Sequence, residues 1–275
     1  MKNTPLIIAL TLNLSTWVSA DTLMLNFRAS SGPTGTNLTN SPLHTAVPSF
    51  TDTVWNNVNN SDASVGSLDW SDGNEASGVA FVLGTVTDSS VSQLVDLTGS
   101  VSSVSNLGNQ TSAGIYSGDS IGKGGIFNGT STQPEKGLGI QFTGLAAGTY
   151  NVYLSGRNTN STNPSFPLTN SFHIGSGTAG SNFDYSAYES RTISYAGTDN
   201  ATTAWVAASD DATKDNYAKF TITLAEGAAL NIAADGSARG FLNSIQLVAV
   251  PEPSAFALLL GAAAILLLPT RRKRA

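Results

Sequence analysis

Two short segments of the sequence are rich in acidic and amide side chains, the types that bind hard cations such as calcium. They are DWSDGNE at 69–75 and SDDATKD at 209–215. The residues with side-chain oxygens that could serve as ligands are Asp69, Asp72, Asn74 and Glu75 in the first segment and Asp210, Asp211 and Asp215 in the second. Calcium binds such ligands when they cluster on a turn, although neither segment has the EF-hand spacing. Because Asp, Asn and Gly also form ordinary turns, a structural calcium site and a solvated turn both stand as interpretations.

Paired carboxylates would support a second chemistry, the hydrolysis of glycosidic bonds. This reaction uses two carboxyl groups about 5–9 Å apart in space. With 18 acidic residues between positions 21 and 250, some pair is always available, and the sequence alone sets no distance between them. A polysaccharide hydrolase is therefore the alternative to a non-enzymatic protein.

Ser120 in YSGDSIG is the one serine whose neighbours suggest a nucleophile. Its Gly-Asp-Ser triplet resembles that of one esterase family, which also places an Asp-x-x-His motif near the chain end. Here the last histidine is His173, and no G-x-S-x-G elbow is present. Since a serine nucleophile needs a base within hydrogen-bond reach, the sequence predicts no esterase and no catalytic residue.

The two histidines, His44 and His173, have none of the spacings of a transition-metal site. We expect both to be surface or half-buried side chains. The chain has no cysteine, which excludes disulfides, thiolate nucleophiles and cysteine-bound metals. No cofactor is predicted apart from the candidate calcium.

Aromatic side chains are the candidates for binding carbohydrate, because an exposed ring stacks on a sugar. The candidates are Trp55, Trp70, Tyr153, Tyr185 and Tyr188. Each of these rings fits the packing of a protein core equally well.

Short runs rich in β-branched and aromatic residues recur between glycine, asparagine and serine clusters, which predicts an all-β protein. We expect strands at 22–29, 78–86, 137–145, 148–157, 191–197, 203–209, 217–225, 229–235 and 240–250. In TYNVYLSG and AKFTITLA apolar and polar side chains alternate, so one face of each strand is buried.

Two long stretches, 86–109 and 158–190, have weaker patterns and are interpreted as weak strands or long loops. Within the second stretch, Pro164 and Pro167 lie among asparagine, serine and threonine. We therefore expect an exposed loop over residues 157–171.

The charge of the body excludes one class of partner. Residues 21–250 contain 8 basic and 18 acidic side chains, a net charge of −10. Nucleic-acid binding depends on neutralising phosphates with lysine and arginine, so the sequence predicts no nucleic-acid partner.

The first twenty residues have the pattern of a secretory signal peptide. Lys2 supplies the positive charge, an apolar run follows, and Val18, Ser19 and Ala20 form a small-residue cleavage site. We predict cleavage between Ala20 and Asp21, so that the mature chain begins at Asp21.

The C-terminus has the pattern of a membrane anchor. Residues 255–268 contain no polar side chain, and Arg271, Arg272, Lys273 and Arg274 follow as a stop-transfer cluster. A helix of these 14 residues rises about 21 Å, short of a hydrocarbon core of roughly 30 Å, but bilayer thinning compensates at modest cost. We predict a transmembrane helix at 255–268 with the body outside.

The segment before this helix carries a resemblance to a known family. VPEPS, comprising Val250, Pro251, Glu252, Pro253 and Ser254, is followed by the apolar segment and RRKR, and resembles the PEP-CTERM sorting signal of exported bacterial proteins. The resemblance covers residues 249–275. It implies that an exosortase, a membrane transpeptidase-like enzyme, removes the helix and basic tail and passes the protein outward. Pro-x-Pro resists helix formation, which keeps such a motif extended.

A second resemblance concerns the body at 21–248. The strand order after residue 137, with GTY opening a strand and IQLV in the last one, resembles the jelly-roll domains of exported carbohydrate-binding modules and of many PEP-CTERM proteins. It implies a jelly-roll-like β-sandwich whose last strand returns beside the first.

These observations predict an exported, non-enzymatic protein of a bacterium with two membranes. We expect a transient single-pass anchor in the inner membrane, then release to the cell surface or extracellular matrix. The expected partners are the secretion machinery, exosortase and, as a candidate ligand, extracellular polysaccharide. The alternatives are the polysaccharide hydrolase and a purely structural matrix protein.

Overall fold

The described residues of the computed structural model are 21–28, 38–59, 62, 64–86, 93–98, 104–106, 115, 121–128, 137–157, 168–195, 204–208, 216–236 and 240–251. These residues form sixteen strands and one short helix, which confirms the prediction of an all-β protein. The elements are β1 (Thr22–Phe27), α1 (Pro42–Ala46), β2 (Asn56–Val58), β3 (Ser64–Val65), β4 (Ala80–Val86), β5 (Leu94–Asp96), β6 (Val104–Asn106), β7 (Ile126–Asn128), β8 (Leu138–Thr143), β9 (Gly148–Ser155), β10 (Leu168–Thr178), β11 (Phe183–Asp184), β12 (Glu189–Tyr195), β13 (Tyr217–Leu224), β14 (Ala228–Gly236), β15 (Gly240–Leu242) and β16 (Ser244–Val250).

The strands form two large sheets and one small one. The five-stranded sheet has the order β13-β9-β16-β1-β2, in which only the β1–β2 pair is parallel. The eight-stranded sheet has the order β11-β5-β4-β8-β14-β10-β12, with β3 also paired to β4. The small sheet is β15-β7-β6. As expected, the last strand lies beside the first, with Thr22 opposite Val248.

One hydrophobic core fills the space between the two large sheets. Alternate residues of β1, β9, β13 and β16 supply it from the five-stranded sheet, and alternate residues of β4, β8, β10 and β14 supply it from the eight-stranded sheet. Tyr150, Val152 and Leu154 of β9 are among these core residues, as the alternation in the sequence predicts. The two sheets therefore pack as a sandwich.

Other segments of the chain also cover part of the outer face of the five-stranded sheet. The six residues of β1 are all buried, because Met24 on the outer side packs with Trp55 and Ile121. Leu43 of α1 joins a second outer cluster with Tyr153. Strands covered on both faces lose the alternating pattern that a half-exposed strand shows.

The outer face of the eight-stranded sheet holds a third cluster, built over glycines. Gly84 and Gly139 are opposite one another on β4 and β8, and Val95 of β5 lies directly above both. A Cβ on Gly139 would lie 2.5 Å from Val95 Cγ1 and 3.1 Å from Phe183 Cζ. The absence of side chains on these two residues lets β5 and β11 lie across the sheet.

The interpretation of 158–190 as weak strands or long loops underestimates the strand content of the described part, which contains β10, β11 and the start of β12. β10, the longest strand described, covers 168–178, so the loop expected at 157–171 does not extend over 168–171. Polar residues and two glycines hide the strand pattern in this segment. Gly175 is required because a Cβ there would lie 2.6 Å from the Tyr188 ring. Residues 158–167 lie outside the described part of the chain.

Two other strand predictions require correction. In the described part of 203–209, only Ala207 forms a bridge, parallel to Tyr217, so no strand is present there. The strand expected at 240–250 is two strands that separate at Asn243. The Asn243 amide NH2 donates to Gly124 O, its side-chain oxygen accepts from the Arg157 backbone N–H, and β15 departs to pair with β7.

The glycine contact beneath β5 leads to a stability prediction. Gly139→Ala should lower the free energy of unfolding by about 1–3 kcal/mol, because the added methyl group overlaps Val95. Gly66→Ala is the matched control, since no atom lies within 4 Å of its Cβ position, and it should stay within about 0.5 kcal/mol. Urea denaturation of both variants measures the difference. Equal stability of the two would contradict close packing of β5 on the sheet.

Candidate functional site

Three of the five aromatic candidates are buried and therefore offer no ring for a sugar to stack on. Trp55 is 7% exposed and its indole N–H donates to Leu38 O at 3.0 Å. Tyr153 is 3% exposed, and Tyr185 is 1% exposed. Of the two interpretations that the sequence left open, core packing therefore holds for these three rings, because other segments cover both outer sheet faces.

The other two aromatic candidates are half-buried. Trp70 packs against the main core. The Tyr188 hydroxyl accepts from the Asn231 amide at 2.9 Å, and its ring stacks on Phe183 with a 9° interplanar angle. Both rings thus have internal packing roles.

The acidic segment at 69–75 forms a hydrogen-bonded turn. The Asp72 carboxylate accepts from the backbone N–H of Asn74 at 2.9 Å and from its amide at 2.7 Å. Asp69 and Glu75 form a backbone bridge across the turn. Within the described ranges, no three His, Asp or Glu side chains are grouped in a way that would hold a metal ion. Asp210, Asp211 and Asp215 lie outside the described residues, as does Ser120.

His44 is buried rather than exposed or half-buried, and its ring joins two segments. Nε2 lies 2.9 Å from the Asp52 carbonyl oxygen, and Nδ1 lies 2.6 Å from the Ser41 hydroxyl. Because a carbonyl oxygen only accepts, Nε2 carries the hydrogen and neutral Nδ1 accepts from Ser41. The Ser41 oxygen also accepts from Gln246, so the network fastens α1 to β16. Burial lowers the pKa of His44, an effect that Asp52 only partly offsets.

His173 is half-buried, as expected, and belongs to a cluster on the outer face of the eight-stranded sheet. Its Nε2 lies 3.3 Å from Asp235 Oδ1, and its ring centroid is 4.7 Å from that of Tyr185. The Tyr185 hydroxyl donates to the other Asp235 oxygen at 3.1 Å. Burial, followed by the charge of Asp235, raises the pKa of Tyr185, which therefore remains a neutral donor. The cluster holds the segment after β11 on the sheet.

The two predicted processing points lie together at one end of the five-stranded sheet. Asp21 and Pro251 are both exposed, and the backbone N–H of Ala249 donates to Asp21 O at 3.0 Å. β16 includes Val250, the first residue of the predicted motif, and ends there because proline has no N–H to continue the ladder. Ala20, residues 252–254, the predicted helix at 255–268 and the basic tail at 271–274 lie outside the described residues. No helix in the described ranges has the length and apolar character needed to cross a membrane.

An open polar surface, which no sequence motif marks, lies on the outer face of β9 and β13. It consists of Thr149, Asn151, Lys219, Thr221 and Thr223, which we call the polar array. In the strand register Thr223 is opposite Thr149, and Thr221 is opposite Asn151. The three residues on β13 are exposed and the two on β9 are half-buried.

Hydrogen bonds order the side chains of the polar array. Thr149 Oγ1 lies 3.1 Å from Thr223 Oγ1, and Thr221 Oγ1 donates to Asn151 Oδ1 at 2.9 Å. The Lys219 ammonium lies 5.5 Å from the centre of the Tyr153 ring, within the range of a cation–π interaction. The alternation in AKFTITLA places the three β13 residues on one face, but only the pairing with β9 reveals the array.

Comparison with known proteins gives distant structural similarities only. No protein-family model and no curated protein matches the chain in sequence. A family GH115 4-O-methyl-α-glucuronidase with specificity for decorated arabinogalactans is 14% identical, with a TM-score of 0.26, over 46% of this chain and 14% of that enzyme. TmCBM61, solved in complex with β-1,4-galactotriose, is 12% identical, with a TM-score of 0.24, over 59% of this chain and 91% of TmCBM61. Similarity at this level assigns no function.

The His44 network leads to a prediction about pH. A pKa lowered by folding means that the unfolded chain binds the proton more readily, so stability falls as the pH drops below about 6.5, the ordinary histidine pKa. We expect the urea midpoint of the wild type to fall between pH 7 and pH 5.5. His44→Gln should flatten this dependence, whereas His173→Gln should retain it. An equally steep fall in His44→Gln would show that other groups cause it.

Proposed function

We propose that this chain is an exported, non-enzymatic bacterial protein, sorted through the PEP-CTERM pathway to the cell surface or extracellular matrix, where its β-sandwich binds carbohydrate. In this proposal Ala20–Asp21 is the signal cleavage point and residues 250–254 are the sorting motif. The helix at 255–268 and the basic tail hold the chain in the inner membrane until an exosortase acts.

The observation that carries the sorting proposal is the position of the two ends of the body. Asp21 and Pro251 are exposed; Asp21 comes directly before β1 and Pro251 directly after β16, and these two strands are paired. A signal peptidase and an exosortase both need extended, accessible substrate, and the exposure of Asp21 and Pro251 supports processing near these two positions.

The returning last strand supports a jelly-roll-like assignment for the sandwich. β16 lies between β1 and β9, and both large sheets are antiparallel except at β2. Jelly-roll domains are built from two such packed sheets.

The polar array supports the carbohydrate part of the proposal. Hydroxyl and amide groups donate and accept hydrogen bonds at the same site, as sugar hydroxyls do. The array replaces the predicted aromatic residues as the candidate surface, because three of those five rings are buried.

The sorting motif is tested by substitution. Replacing Pro251, Glu252 and Pro253 together with alanine should leave a larger, membrane-retained form in the native host, because the processing enzyme loses its recognition motif. Intact mass and cell fractionation measure both properties. Glu75→Ala, which removes an exposed acid outside the motif, should be processed normally, with a mature chain that starts at Asp21. Normal release of the triple variant would refute the sorting assignment.

Carbohydrate binding is tested with the extracellular polysaccharide of the host. The released protein should co-sediment with it, and the polysaccharide should show no new reducing ends after incubation. Release of reducing ends would support the alternative, a polysaccharide hydrolase. Sedimentation no greater than that of an unrelated acidic protein would leave a structural matrix role and contradict carbohydrate binding.

A further inference from the structure

The polar array contains an exposed positive charge in a body that is otherwise strongly acidic. Lys219 is exposed, and no carboxylate among the described residues lies within 4 Å of its ammonium group. The other described cations differ from it: Arg28 and Arg157 are buried, Lys123 is half-buried and has an interaction partner, and Arg191 lies 2.9 Å from Glu189 Oε1. Lys219 is therefore available to an anion from solution.

The position of the Lys219 ammonium is set by its surroundings. It lies over the Tyr153 ring, which is 3% exposed and packs against Tyr217. Burial raises the pKa of both tyrosines, so the two phenols stay neutral beneath the lysine. A cation held over a packed ring loses less rotamer freedom on binding than a fully mobile lysine would.

The neighbouring side chains offer hydrogen bonds on the same face. Thr221 follows Lys219 at a spacing of two residues along β13, about 7 Å, and Asn151 is opposite Thr221 at about 5 Å. The Thr221 hydroxyl donates to Asn151 Oδ1, which leaves the Asn151 NH2 group directed away from that bond. The array therefore presents donors and acceptors beside a single positive charge.

We propose that the polar array binds an acidic polysaccharide, with the carboxylate of a uronate residue on Lys219 and the hydroxyls of adjoining sugars on Asn151, Thr221 and Thr223. This inference rests on the carbohydrate binding proposed above and names its ligand class. An extended polymer fits the array because its five residues follow two adjacent strands. The net charge of −10 on the body opposes a polyanion at long range, but screening at physiological salt limits that repulsion to roughly 8 Å.

Substitution of the lysine tests the charge. Lys219→Gln should weaken binding to polygalacturonate or alginate roughly tenfold, which corresponds to about 1.4 kcal/mol, because a charge-assisted hydrogen bond is lost. Arg191→Gln is the matched control, since it removes an exposed positive charge from the other large sheet, and it should bind as the wild type does. Calorimetric titration of the whole chain as recovered from its host measures each affinity.

Removing the negative charge of the polymer tests the same interaction without changing the protein. Fully methyl-esterified polygalacturonate has the same sugars without the carboxylate charge, so the wild type should bind it about as weakly as Lys219→Gln binds the acidic polymer. Thr221→Val should weaken binding to both forms, because it removes a hydroxyl and leaves the lysine in place.

The outcomes separate this inference from the proposed function. Equal binding of acidic and esterified polymers, unaffected by Lys219→Gln, would overturn the acidic ligand and leave carbohydrate binding intact. Binding to the host polysaccharide but to neither polygalacturonate nor alginate would also overturn the acidic ligand and leave carbohydrate binding intact. Failure to bind the host polysaccharide and all of the probes would overturn both proposals.

Discussion

The pairing of β16 with β1 on one side and β9 on the other is the constraint on which the rest of the structure depends. The last strand of the body lies at the centre of the five-stranded sheet, so this sheet is complete only when the whole body has been synthesised. Contacts between such distant parts of a chain make folding slow. The same pairing brings Asp21 and Pro251 to one end and aligns the row of Met24, Gln246, Tyr153 and Lys219 across four strands.

That row shows how the outer face of the five-stranded sheet is divided. Met24, Gln246 and Tyr153 are buried under α1 and its neighbouring segments, and Gln246 is satisfied there by Leu43 N–H at 3.0 Å and Ser41 Oγ at 2.9 Å. Lys219 lies at the edge of this covering. Beyond it the face is open and polar, so the candidate binding surface is the part of the sheet that the covering segments leave exposed.

In the eight-stranded sheet, buried amide side chains also bind the segments that cover the sheet, as Gln246 does in the five-stranded sheet. Gln141 and Asn231 are fully buried on adjacent strands and hydrogen-bond to each other at 2.8 Å. Gln141 also binds the turn after β10 through Gly180 N–H, and Asn231 binds the Tyr188 hydroxyl. Because a buried amide without partners is costly, these residues fix the position of the segments that cover the sheet. With no disulfide in the chain, such networks and the glycine contacts hold the outer layers in place.

The sequence by itself determined the all-β class, most of the strands and the alternation of β9 and β13, because these features depend on local periodicity. The predicted signal peptide and sorting motif are linear patterns in the sequence, and both stay predictions. The tertiary structure decided which faces are covered. Trp55, Tyr153 and Tyr185 suggested sugar contacts only as long as their sheet faces were assumed to be open, and β10 was hidden because Gly175 and Gly177 make room for Tyr188 and Asn231. The polar array likewise required the register of two strands about seventy residues apart, which no local pattern specifies.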